Sequence, residues 1–164
     1  MKNRIYIILA FIILILDQYT KYLIKKSFHL FEIKPVIKGF FNLTYILNPG
    51  AAFGFLANLN EKYRQLFFVF VTIMAIIIVI YLFTKENNSI LRKLSYSLIL
   101  GGALGNFIDR LFIGKVVDFL DFYISSYHWP AFNVADSSIS IGIFFLILDM
   151  VINKKEDSNN ENNA

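Results

Sequence analysis

The sequence has no cysteine, only two histidines and few charged residues, and each shortage excludes a kind of function. Without cysteine there are no disulfides, no thiolate nucleophiles or thiolate metal ligands, and no attachment of lipid to sulfur. His29 and His128 are too few for a histidine-rich metal centre. Metal sites built from thiolates or from many histidines are therefore not expected.

Charged residues make up 17% of the chain, whose formal net charge is +4. Because the lysines are scattered, a nucleic-acid partner is not expected. Apolar residues are in excess: 57% of the chain is hydrophobic, the mean hydropathy is +0.57, and there are 18 phenylalanines and 9 tyrosines. Aromatic residues commonly line both membrane interfaces. Composition and length together indicate a single integral membrane domain.

Four predominantly apolar stretches approach the roughly 20 residues that a helix needs to cross a bilayer. They cover residues 6–24, 66–83, 94–111 and 134–152. The first follows a basic start, as in a signal peptide, but no small-residue cleavage site comes after it, so we interpret it as a retained span. Residues 1–153 then form one four-span domain, and the polar residues 154–164 are expected to be a disordered tail.

Four spans place both termini on one side of the membrane. Basic residues occur on both sides, so the positive-inside rule gives no clear orientation. The charges on the terminus side flank the spans closely, whereas the connection 25–65 is long. This difference favours termini on the inside.

The connections on the opposite face show strand and turn patterns. In "KPVIKGFFNLTYILNPG", Lys38 and Gly39 predict a turn between two short strands, and a second turn follows at residues 48–50. "VVDFLDFY", residues 116–123, predicts another strand, and "ANLNEKYRQLFF", residues 57–68, begins as an interfacial helix. The predicted fold is an α-helical membrane protein of four transmembrane helices with a small extracytoplasmic β-sheet and a short interfacial helix.

Polar residues near the span ends admit two interpretations. Asp17 and Lys21, at i,i+4, can pair on one helix face, either as an interfacial ion pair with a snorkelling lysine or as support for a site. In "GGALGNFIDR", residues 101–110, a GxxxG pattern allows close helix approach. Gly102, Asn106 and Arg110 are spaced by four and form one stripe along the helix, and the neighbouring Asp109 is expected to neutralise the arginine. These residues point either to tight packing or to a site.

"NPGAAFGF", residues 48–55, is a turn that is either a simple interfacial loop or a close backbone approach to a ligand.

Two acids near the ends of the third and fourth spans, Asp118 and Asp136, are harder to explain. Asp136 follows Asn133 by three residues, so capping of the fourth helix alone could account for it. Capping does not account for Asp118, nor for Asp121, which we expect on the same strand face.

If Asp118 follows the third span and Asp136 opens the fourth, the two acids lie at one membrane depth. Two carboxylates in an apolar setting cannot both ionise easily, so the pair shares a proton and can act as base and acid together. That arrangement can activate water against an amide and protonate the leaving nitrogen. A serine–lysine dyad would need Lys21 or Lys115 to reach Ser137 or Ser138 and lose its proton.

Four blocks occur along the chain in a specific order: "DQYTK", "NPGAAFGF", "GGALGNFIDR" followed by "VVDF", and "FNVADS". From Asp17 to about Asp149 the chain thereby resembles the lipoprotein signal peptidase family, signal peptidase II. The resemblance implies an aspartic endopeptidase of the bacterial cytoplasmic membrane that cleaves prolipoproteins immediately before the diacylglyceryl-modified cysteine. It also implies cytoplasmic termini and an active site toward the outer face.

The resemblance assigns roles to individual residues. Asp118 and Asp136 match the catalytic aspartates, and five further positions match residues that shape or hydrogen-bond the site: Asn48, Gly54, Asn106, Arg110 and Asn133. Asp17 and Lys21 match a block with a more structural role. No metal ion and no organic cofactor is implied. The partners implied are the prolipoprotein and membrane lipids, and we expect a monomer.

Two other classes of protein fit the sequence less well. A small transporter lined by polar residues would distribute them along the spans and show an inverted repeat, whereas here they gather at one end and no internal symmetry is visible. A non-enzymatic assembly factor would use the GxxxG face for partners but leaves both acids unexplained.

Overall fold

The computed structural model describes residues 2–50, 60–86 and 89–161. Within these residues the chain forms four α-helices and one four-stranded antiparallel sheet of order β1-β2-β3-β4. The helices are α1 Lys2–Ser27, α2 Glu61–Lys85, α3 Ile90–Phe112 and α4 Val134–Glu161, and the strands are β1 Ile33–Ile37, β2 Phe41–Asn48, β3 Val116–Ile124 and β4 Tyr127–His128.

Three helices of the described chain are long and apolar enough to cross a membrane, within Asn3–Ser27, Glu61–Lys85 and Val134–Asn153. Their outward surfaces carry large exposed apolar side chains, for example Ile5, Leu66 and Phe144, each at least 60% exposed. Such surfaces suit hydrocarbon rather than water. The molecule is therefore a membrane protein.

Helix α3 packs against each of the other three helices and buries several polar residues, among them Ser95, Asn106 and Asp109. Its glycines make close packing possible. A Cβ on Gly101 would lie 2.6 Å from the carbonyl oxygen of Ala10 in α1, and a Cβ on Gly102 would overlap the carbonyl oxygen of Ala135 in α4. The GxxxG segment thus serves packing within this chain, with α3 between α1 and α4.

The sheet lies where α1 ends, α2 begins, α3 ends and α4 begins. Gly39, with φ of 82°, makes the turn between β1 and β2, and Gly50, with φ of 85°, lies in the turn after β2, as the sequence predicts. Strand β3 confirms the strand expected at residues 116–123. Ile24, Val117 and Phe119 form a small core that joins this sheet to the end of α1.

Two boundaries differ from expectation. Asn60 accepts a hydrogen bond from the backbone N–H of Lys62 and caps α2, so residues 61–68 belong to that long helix. Residues 57–59 lie outside the described residues, and the separate interfacial helix stays a prediction. Helix α4 continues to Glu161, within the segment expected to be a disordered tail.

Candidate active site

Asp118 is the third residue of β3 and is almost completely buried. Both of its carboxylate oxygens accept hydrogen bonds from asparagine side chains. Asn48, at the end of β2, donates to Oδ2 at 2.9 Å, and Asn133, just before α4, donates to Oδ1 at 2.7 Å. The antiparallel pairing of β2 and β3 places Asn48 opposite Val116, two residues from Asp118 on the same strand face.

Asp136 lies in the first turn of α4, where it takes part in a reciprocal cap with Asn133. The backbone N–H of Asp136 donates to Asn133 Oδ1 at 2.9 Å, and the backbone N–H of Asn133 donates to Asp136 Oδ2 at 3.3 Å. The capping expected from the sequence is therefore present. Asp136 has a further partner, because Asn106 of α3 donates to its Oδ1 at 2.7 Å.

The amide of Asn133 joins the two acids. Its oxygen caps α4 at Asp136, and its nitrogen donates to Asp118. Asn133 is completely buried, so this bridge is shielded from water. The structure thus brings together Asp118 and Asp136, which are 18 positions apart in the sequence.

The environment of Asp118 favours its protonated form. Burial, as the largest cause, and the nearby charge of Asp136 raise the pKa of Asp118 to about 7, against the opposing hydrogen bonds from Asn48 and Asn133. A carboxyl group that exchanges its proton near neutral pH is suited to general acid–base chemistry.

Asp17 and Lys21 form the predicted pair, with Lys21 Nζ 2.8 Å from Asp17 Oδ2. The expectation of an interfacial pair with a snorkelling lysine is wrong, because both side chains are completely buried between α1 and α3. Lys21 also lies 3.0 Å from Asp109 Oδ2 and donates to Asn106 Oδ1 at 3.0 Å. Asp109 therefore pairs with Lys21 rather than neutralising Arg110, since consecutive side chains of a helix point in different directions.

Arg110 is partly buried at the end of α3. Its guanidinium group lies over the ring of Phe68, 5.7 Å from the centroid, and its backbone carbonyl accepts a hydrogen bond from Gln65 at 3.0 Å. Among the residues described, its side chain makes no hydrogen bond to Asp118 or Asp136. Gly54, the remaining predicted site residue, lies outside the described residues.

The serine–lysine alternative is not formed. Ser137 and Ser138 donate to the backbone carbonyls of Asn133 and Leu98, at 2.9 and 2.8 Å. Lys21 is engaged by two acids, and Lys115 lies 2.7 Å from Glu61 Oε1. Neither lysine is in position to take a proton from a serine hydroxyl.

Asp121 contradicts the expectation that it shares a strand face with Asp118. Residues three apart in a strand point to opposite sides, and Asp121 bonds instead to Asn42 and to the ring of His128, at 2.8 Å each. This cluster is separate from the acid pair. The described residues contain no group of three histidine, aspartate or glutamate side chains placed to hold a metal ion.

A cavity of about 570 Å³ opens beside Asp136, and sequence reasoning did not find it. Its lining residues are Trp129, Pro130, Ala131, Phe132, Asp136, Ser137, Ser140 and Ile141.

Gln18 is a further residue that sequence reasoning did not find. Its side-chain amide donates to Asp17, Asp109 and the carbonyl of Gly105, and its place next to Asp17 in "DQYTK" was the available signal.

Fold and site together define a class of protein. It is an integral membrane protein that holds two carboxylates, bridged by asparagine amides, where its helices meet a small antiparallel sheet.

Comparison with known proteins identifies the family. The family model described as signal peptidase (SPase) II matches residues 9–152. The lipoprotein signal peptidase of Syntrophus aciditrophicus is 50% identical over 94% of this chain and 96% of its own length, and that of Desulforapulum autotrophicum is 48% identical over 89% and 91%. The chain belongs to the signal peptidase II family of membrane aspartic peptidases.

A solved structure agrees with this assignment. A bacterial membrane enzyme determined by the in meso method superposes with a TM-score of 0.82 at 38% identity. The alignment covers 92% of this chain and 90% of that one. The helical scaffold and the small sheet thus recur together in a known membrane enzyme.

Proposed function

We propose that the protein cleaves the signal peptide from diacylglyceryl-modified prolipoproteins, immediately before the lipidated cysteine, with water activated by Asp118 and Asp136. Membership of the signal peptidase II family and relatives named lipoprotein signal peptidases support this substrate. The observation that carries the mechanism is the single buried amide of Asn133, which bonds to both acids.

Asp118 acts as the proton donor of the pair, because burial raises its pKa to about 7, and its neighbour acts as the base. The charged carboxylate takes a proton from water as the water oxygen attacks the scissile carbonyl carbon, while the protonated acid donates to the carbonyl oxygen. As the tetrahedral intermediate collapses, the C–N bond breaks. The leaving nitrogen receives the proton taken from water, and the second carboxyl group recovers its own.

Asn106 and Asn133 hold the acids rather than the substrate, because their amide nitrogens are engaged with Asp136 and Asp118. Arg110 remains available to hold the substrate backbone in an extended form. The cavity beside Asp136, with Trp129 and Ile141 in its lining, suits apolar parts of the substrate. The acyl chains of the diacylglyceryl group would extend from the site between the helices into the bilayer.

Helix α3 is the fourth span in this proposal. Its 23 residues rise roughly 34 Å, enough to cross the hydrocarbon core. Four crossings put both termini in the cytoplasm and the sheet, with the acid pair, at the outer face of the cytoplasmic membrane. The acid pair and its asparagines all come from one chain, so a monomer is sufficient for the proposed activity.

The test is cleavage of a lipidated prolipoprotein by the purified protein in detergent. Asp118→Asn and Asp136→Asn should each abolish cleavage and keep the helical circular dichroism of the wild type. Asp121→Asn is the matched control, since it changes a buried acid of the same strand that faces away from the pair, and it should remain active. Turnover retained by either Asp118→Asn or Asp136→Asn would refute the proposed mechanism.

A further inference from the structure

Two acids outside the pair bind the backbone immediately before each member of it. Asp17 Oδ1 accepts a hydrogen bond from the N–H of Ala135 at 2.9 Å, and Asp109 Oδ2 accepts one from the N–H of Val117 at 3.0 Å. Ala135 precedes Asp136, and Val117 precedes Asp118. The residue immediately before each member of the pair is therefore held by its own buried carboxylate.

One lysine connects these two carboxylates. Lys21 Nζ lies 2.8 Å from Asp17 Oδ2 and 3.0 Å from Asp109 Oδ2. The same ammonium group donates to Asn106 Oδ1, which turns the amide nitrogen of Asn106 toward Asp136. Asp17, Lys21 and Asp109, here called the buried triad, thus reach the acid pair by three separate hydrogen-bonded routes.

Stability alone is a poor explanation for the buried triad. All three side chains are at most 1% exposed, and burying ions costs free energy that apolar side chains of similar size would not. Gly105 also leaves room for the buried triad, because a Cβ at this position would overlap Asp17 Oδ2. Charged, directional contacts that end on the peptides before Asp118 and Asp136 fix geometry in a way that apolar packing cannot.

We propose that Asp17, Lys21 and Asp109 are positioning residues that set the separation and orientation of Asp118 and Asp136. This inference rests on the proposed function, since it assumes that the acid pair carries out the hydrolysis. The buried triad does not touch the substrate. It acts on the reaction by holding β3 and the start of α4 at a fixed distance, with Lys21 as the common centre.

The bonding pattern predicts that the two acids respond differently to substitution by asparagine. Asp17 uses one oxygen for Ala135 and the other for Lys21, so an amide must either lose the Ala135 contact or present its NH₂ group to the ammonium. Asp109 uses Oδ2 for both Val117 and Lys21, which the single oxygen of an amide can still provide. Displacement of a reacting group by about 1 Å can reduce the rate on the order of 10²-fold.

The experiment compares kcat and KM for cleavage of a lipidated prolipoprotein, together with the pH profile of kcat and the melting temperature in detergent. Asp17→Asn should lower kcat on the order of 10²-fold with little change in KM, and should alter the pH profile. Asp109→Asn should have the same kind of effect, but weaker. The matched control is Asp149→Asn, which removes a buried acid of α4 that is bound by Arg92 and Ser89, away from the site.

Asp149→Asn should lower the melting temperature and leave kcat within about twofold of the wild type. The inference is overturned if Asp17→Asn and Asp109→Asn lose no more kcat than Asp149→Asn at an equal fall in melting temperature. Should Asp17→Asn fail to fold, Asp109→Asn decides the matter by the same comparison. Turnover by Asp118→Asn would instead refute the proposed function itself, so the two failures are distinguishable.

Discussion

Among the residues that the structure describes, Asn133 makes the largest number of hydrogen bonds to the acid pair. Its side-chain oxygen caps α4, its nitrogen donates to Asp118 at 2.7 Å, and its backbone N–H donates to Asp136. An aspartate here would add another negative charge beside the pair and remove the donor, and a serine could not reach in two directions. The residue thus has to be an amide with a short side chain.

Replacing Asn133 by alanine should impair both chemistry and stability. Loss of the cap costs about 1 kcal/mol, and loss of the donor to Asp118 raises the pKa of that carboxyl group further. We expect kcat to fall on the order of 10²-fold and any activity limit set by Asp118 to move to higher pH. Kinetics across pH 5–9 and thermal melting measure both effects.

Asn42→Ala is the matched control for that substitution. Asn42 is likewise buried and donates to a β3 acid, Asp121, but on the other strand face. It should lower the melting temperature without moving the pH profile of cleavage. An Asn133→Ala protein with the wild-type pH profile would show that Asn133 does not act on Asp118.

At the scale of elements, the sequence predicted the helices and strands better than it predicted which of them contact one another. Apolar length identified the helices, and Gly39 and Gly50 identified the turns, because these signals are local. The burial of Lys21 could not be predicted, since the partner acid Asp109 lies 88 positions away in α3. Both acids of the proposed pair were identified by their type and order, whereas the bridging role of Asn133 appears only when β3 and α4 meet.

The crossing of the membrane by α3 is testable because the chain has no cysteine. Lys85→Cys and Ser126→Cys introduce single thiols at exposed positions before and after α3. In intact cells a membrane-impermeant maleimide should label Ser126→Cys, and should label Lys85→Cys only after the membrane is permeabilised. Each variant should retain cleavage activity, which confirms that the labelled protein is folded.

Labelling of both positions from the same side would mean that α3 does not cross the bilayer. The proposed topology would then fail even though the acid pair could still be correct. Labelling of Lys85→Cys alone in intact cells would invert the proposed orientation.

For the whole molecule, the acid pair makes stability depend on pH in a direction opposite to that of most buried ion pairs. The pKa of Asp118 is about 7 in the folded chain and 3.8 as the ordinary value. Between these values the unfolded chain has released a proton that the folded chain keeps, so the free energy of unfolding decreases as pH rises from about 4 to 7. Removing this titration should therefore abolish that decrease.

The melting temperature of Asp118→Asn relative to that of the wild type is expected to rise from pH 5 to pH 8. The relative gain should amount to a few kcal/mol of unfolding free energy, because the amide does not ionise. The amide NH₂ group must also face the donor group of Asn48 or Asn133, but that loss is the same at every pH. Thermal melting in one detergent at pH 5, 6, 7 and 8 measures it. Parallel curves for the two proteins would mean that Asp118 titrates near its ordinary value, and the shared proton on which the water-activating pair depends would then have to reside elsewhere.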